Sequence, residues 1–106
     1  MNNFEEREKG EELKHVLSQE QEFKIASRRN KLLGLWVAEL LGLAGDEADK
    51  YALSVVIADV QEKGSEDVFR KVFADLQNAK SEVSEHMVRR EMANYLDIAR
   101  AEFANS

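Results

Sequence analysis

The sequence predicts an all-α fold, a four-helix bundle preceded by a mobile, conditionally helical N-terminal segment. Three observations predict it. The chain has no proline and only five glycines in 106 residues, so interruptions of helix are few. Apolar residues return at three- and four-residue steps through most of its length. No stretch combines strict alternation with the β-branched or aromatic enrichment that a strand needs.

The first predicted helix runs from about Asn3 to Leu43 and is uneven. Asn3 and Glu6 have the spacing of a capping box, and Glu5 with Lys9 and Glu20 with Lys24 are supportive i,i+4 pairs. Up to Glu22 its apolar side chains are only Met1, Phe4, Leu13, Val16 and Leu17, too thin a stripe to bury well. Gly10 costs a further ~1 kcal/mol relative to alanine. The second half, KLLGLWVAELLGL, reads as a central buried helix, with Leu33, Trp36, Leu40 and Leu43 as its stripe and Leu32, Leu35, Val37 and Leu41 around it. Gly34, Ala38 and Gly42 recur every four residues and form a small face against which another helix can pack closely.

Gly42 and Gly45 end that helix, and a second begins near Asp46 with Ala48, Tyr51, Ala52, Val55, Val56 and Val60 toward the core. Gly64 closes it. Ser65 is the expected cap of the third helix, with Glu66 and Asp67 in the first turn, where the helix dipole favours anions. Val68, Phe69, Val72, Phe73 and Leu76 form its apolar face. Ser84 caps the last helix, whose apolar positions are Met87, Val88, Tyr95, Leu96, Ala99 and Phe103. Short connections make the neighbours antiparallel.

At this length the chain builds one core and not two, so residues 1–106 are read as one domain. Its 21 acidic and 15 basic side chains leave a net charge of −6, which repels polyanions and makes nucleic acid and anionic lipid poor partners. The absence of cysteine excludes disulfides, thiolate catalysis and cysteine-ligated zinc. The acidic start MNNFEEREKGEEL lacks the order of a signal peptide, and no apolar run approaches the ~20 residues that span a bilayer. A cytoplasmic protein without direct membrane insertion is expected.

Chemistry is sparse. His15 and His86 sit in no HExxH or histidine–carboxylate cluster, so no metal site is expected. Glu39, between Ala38 and Leu40, is the acid with the most apolar setting and is expected to be half-buried against a basic side chain. No nucleophile, base and orienter form a constellation, and no phosphate-cradling glycine motif occurs, so an enzyme is not expected. Two basic groups stand out: Arg28, Arg29 and Lys31, and Arg89 with Arg90. Brought together they would clasp a phosphate or carboxylate, that of ATP or ADP as an effector included; otherwise they form surface ion pairs. The thinly striped N-terminal segment is either an effector peptide that folds on a partner or an exposed helical extension.

The run Ser27-Arg28-Arg29-Asn30-Lys31-Leu32-Leu33-Gly34-Leu35-Trp36-Val37-Ala38-Glu39-Leu40-Leu41-Gly42 resembles the signature segment of the ATP synthase inhibitor subunit zeta family, small four-helix proteins of alphaproteobacteria. The resemblance continues in Asp67-Val68-Phe69-Arg70-Lys71, in Arg89-Arg90 and in Phe4-Glu5-Glu6-Arg7-Glu8, and so spans nearly the whole chain. It implies a regulator of the F-type ATP synthase whose N-terminal segment, roughly residues 1–19, inserts at a catalytic interface of the soluble sector and blocks hydrolytic rotation. Residues 20–106 would be the anchoring bundle. On this reading Phe4, Arg7, Glu8, Leu13, Lys14, Val16 and Leu17 meet the partner. The protein would be a monomer when free and peripheral to the inner membrane when bound, with no resident cofactor.

One departure bears on potency. After Phe4-x-x-Arg7-Glu8 the family pattern carries alanine and aromatic residues where this chain has Gly10, Glu11 and His15. Apolar anchors are worth about 1.5–3 kcal/mol each when buried, so weakened inhibition is expected. Two other readings stay open: a small nucleotide-sensing bundle using the five basic residues, and a non-inhibitory accessory or assembly protein of the synthase.

Overall fold

A computed structural model of the chain describes residues 18–58 and 65–105. Four helices fill them: α1 (Gln19–Leu40), α2 (Gly45–Ala58), α3 (Glu66–Asn78) and α4 (Glu85–Ala104). No strand occurs among the described residues. The all-α, four-helix expectation is met.

The predicted first helix is corrected at both ends. Ser18 has extended backbone (φ −64°, ψ 160°), so no continuous helix runs from Asn3 to Leu43. Its hydroxyl accepts from the Gln21 N–H at 3.1 Å, and the Gln21 side chain accepts from the Ser18 N–H at 3.0 Å. That reciprocal pair satisfies two of the orphan donors of a helix start. The expected Asn3–Glu6 cap, the Glu5–Lys9 pair and the mobile segment lie outside the described residues. At its other end α1 stops at Leu40. Gly42 takes φ +81°, its N–H bonds the Glu39 carbonyl at 3.1 Å, and the Leu43 N–H reaches back to Ala38 at 2.9 Å. This is a Schellman motif, which needs the left-handed residue that glycine supplies without strain.

The same motif ends α3 without glycine. Lys80 sits at φ 60°, its N–H bonding Gln77 and that of Ser81 bonding Leu76, each at 2.9 Å. Ser84 caps α4 as expected, accepting from the Met87 N–H at 3.1 Å. Ser65 holds the predicted cap position of α3, but its hydroxyl makes no cap bond, because its backbone (φ −98°, ψ 0°) is not extended.

The core gathers Leu33 and Val37 of α1, Val55 of α2, Val68, Phe69, Val72 and Leu76 of α3, and Val88 and Met92 of α4. On α1 the buried line is Leu33 with Val37, whereas Trp36 lies at the rim and Leu40 is exposed, so the predicted Leu33–Trp36–Leu40 stripe is rotated by about one residue. Met87 is exposed and Met92 takes the core place on α4. Glu39 is exposed, not half-buried: five residues past Gly34 it points about 140° away from the α2 contact.

Gly34 sets the spacing of α1 and α2. A Cβ there would stand 2.7 Å from the Ala52 Cα and 3.2 Å from a Val55 methyl. The small face is thus a packing device at Gly34. Tyr51 ties α2 to α3, its hydroxyl donating to Asp75 at 2.7 Å, while the Lys71 ammonium lies 3.1 Å from the same oxygen and 5.2 Å from the Tyr51 ring centre. Burial and then the Asp75 contact push the Tyr51 phenol above its ordinary value.

Candidate functional site

The two basic groups divide among four places. Arg28, on the outer side of α1, forks onto Glu102 of α4, with Nε at 2.7 Å and Nη2 at 3.2 Å. This pair raises the arginine and, through its hydrogen bond first, holds the Glu102 carboxyl below the usual range. Arg90 reaches its neighbour Glu91 at 3.6 Å. Lys31 is exposed and lines a groove between α1 and α2. These three fit the ion-pair and solvated-face alternative better than a common site.

Arg29 and Arg89 are brought together. They border one cleft of roughly 230 Å³ with Ser65, Met92, Ala93 and Leu96. Arg29 is 7 % exposed and donates from Nε to the Asn30 Oδ1 at 2.6 Å. Asn30 is fully buried, and its Nδ2 has no hydrogen-bond partner among the described residues. Arg89 forks onto Glu66 of α3 at 2.9 and 3.3 Å, bonds Glu85 one turn before it at 3.1 Å, and lies 3.9 Å from the centre of the Phe69 ring. Two acids and an aromatic face therefore share one guanidinium; Glu66 first and then Glu85 raise its basicity, and Arg89 in turn lowers that of Glu66. An anion entering the cleft would compete with Glu66 for Arg89.

Sequence reasoning named both arginines but missed Asn30, Ser65, Glu66 and Phe69 as their company. The Glu85–Arg89 spacing was readable as an i,i+4 pair, and Asn30 falls one turn before Leu33 and Gly34 on the buried face. The pairing of Arg89 with Glu66, 23 positions away, needs the fold.

Other chemistry is thin. No group of three or more histidine and carboxylate side chains that could hold a metal ion occurs among the described residues. His86 is exposed in the first turn of α4. No described helix is long and apolar enough to cross a membrane. Phe4, Arg7, Glu8, Leu13, Lys14, Val16, Leu17 and His15 lie outside the described residues.

The architecture has a solved counterpart. A solution NMR structure is 48 % identical to this chain, covers 78 % of it and 94 % of its own length, and superposes with a TM-score of 0.69. No curated protein matches the chain. A family model, ATPase inhibitor subunit zeta, matches residues 1–102, which takes in both the bundle and the segment before Ser18. The sequence resemblance, the four-helix fold and this match over nearly the whole length agree, and the chain belongs to the ATPase inhibitor subunit zeta family.

Proposed function

We propose that this protein restrains ATP hydrolysis by the F-type ATP synthase, with residues 1–19 entering a catalytic interface of the soluble sector and residues 20–106 serving as the anchor. The observation that carries this reading is the reach of the family match, which includes residues 1–17 as well as the bundle. Composition supports it. Phe4, Leu13, Val16 and Leu17 are too few to build a core of their own and enough to anchor a peptide in a groove. The protein works as a regulator without a catalytic constellation or a resident cofactor.

The test is placement of a photo-crosslinking residue at position 4, 13 or 17, with position 98 on α4 as control, followed by irradiation with the purified soluble sector. Crosslinks to catalytic-interface subunits from the N-terminal positions are expected. Crosslinking from position 98 alone would contradict the reading. Reduced potency is part of the proposal, and Gly10→Ala is the check: recovering ~1 kcal/mol of helix propensity should strengthen inhibition about fivefold.

The second reading, a nucleotide-sensing bundle, is favoured by one observation, the shared cleft of Arg29 and Arg89 beside Ser65. Amide shifts of these three residues on adding ATP or ADP, absent with an uncharged nucleoside, would support a phosphate site there.

A further inference from the structure

On α2 the side away from the core is apolar where a surface helix is normally polar. Leu53 and Ile57, one turn apart, are 57 and 52 % exposed, and Val56 lies half-buried between them. Leu53 and Val56 line a groove of roughly 330 Å³ between α1 and α2, with Lys31 on its α1 lip and Asp49 on its α2 lip. Elsewhere on the surface opposite charges are paired, Arg28 with Glu102, Lys71 with Asp75 and Arg89 with Glu66. Lys31 and Asp49 are in no ion pair among the described residues.

The two lip charges do not face each other. Gly34 packs on Ala52 and Val55, while Lys31, three residues earlier on α1, shares the groove with Val56, one residue later on α2; the two helices therefore run antiparallel. Asp49 lies seven residues before Val56, about 10 Å back along α2. The groove thus has a basic end, an acidic end and Leu53 between them.

We infer that a second copy of the chain docks on this seam, the two α2 helices lying antiparallel about a two-fold axis at Leu53. Charge selects the arrangement. Turning a copy end for end about Leu53 sets Lys31 of each chain beside Asp49 of the other, whereas a parallel copy would set lysine beside lysine and aspartate beside aspartate. The face is self-complementary, as a two-fold interface requires. The two Leu53 side chains meet near the axis and Ile57 is covered one turn further on. Apolar burial supplies the affinity, and the ion pairs fix the direction. The free monomer that the family resemblance implies would leave this seam in water. The docking uses no residue before Ser18, so it stands apart from the inhibitory reading.

Sedimentation equilibrium of the full chain, run from micromolar to millimolar concentration, tests it. The mass should rise with concentration from 12.1 kDa toward twice that value. Leu53→Glu, at an exposed position outside the core, should weaken association at least about tenfold. Lys31→Asp alone and Asp49→Lys alone should each weaken it too, because either homodimer then holds two like-charge contacts. An equimolar mixture of these two variants should restore association, since every altered side chain meets its opposite on the other chain. Circular dichroism of each variant at low concentration separates lost association from lost folding. A mass of 12.1 kDa at every concentration overturns the proposal and leaves the face to residues 1–17 or to a different protein. Association that ignores Leu53→Glu, or a mixture that associates no better than its components, overturns it as well.

Discussion

Between α1 and α2 the governing feature is a missing side chain: Gly34 lets Ala52 approach until a methyl would stand 2.7 Å from its Cα. Between α3 and α4 it is a shared charge, the Arg89 guanidinium held by Glu66 and Glu85 over the Phe69 ring. The first contact is apolar and carries no charge, so salt and pH do not act on it directly. The second is partly exposed and open to competition by any anion.

The largest expected effect tests the core that both pairs share. Leu33→Ala or Leu76→Ala, each at a fully buried site, should cost about 2–5 kcal/mol in denaturant unfolding, since the lost methylenes leave a cavity. A loss below about 1 kcal/mol would mean that the bundle is loosely packed.

Gly34→Ala asks whether the first joint is as tight as described. Helix propensity favours alanine by about 1 kcal/mol, but overpacking against a backbone atom costs about 1–3 kcal/mol, so net destabilisation is expected. Stabilisation would show that the two helices separate easily. Lys80→Gly should act in the opposite direction, raising stability by up to ~1 kcal/mol, because a left-handed lysine ends α3. A thermal scan compares the two variants directly.

The smallest effect concerns the second joint and its counterpart at Arg28. The carboxyls of Glu66 and Glu102 are held below their ordinary value of 4.5 in the folded state. Groups depressed by folding contribute fully above the unfolded value, and the contribution is lost as pH falls through the folded one. Stability should therefore show no loss from these pairs near neutral pH and decline below about 4.5. Glu66→Gln with Glu102→Gln should flatten that decline, and high salt should mimic the change.

Much of this was legible in the sequence. Spacing placed four helices, and glycine marked the end of α1. The start of α1 was misplaced because its long charged run favours helix, although Ser18 and Gln21 carry a capping signature. The stop at Lys80 left no trace, since lysine is not a residue that advertises positive φ. Arg29 and Arg89 were named as candidates, yet their meeting depends on how α1, α3 and α4 pack. The buried Asn30 was passed over because a polar residue between two basic ones reads as surface.

The central claim separates an anchoring bundle from an effector segment, and ATP hydrolysis tests it most directly. The purified soluble sector of an alphaproteobacterial ATP synthase is titrated with the full chain and with a version beginning at Ser18, which keeps the α1 capping box. The account predicts inhibition by the full chain and none by the shortened one. Equal inhibition by both would place the brake in the bundle and contradict it.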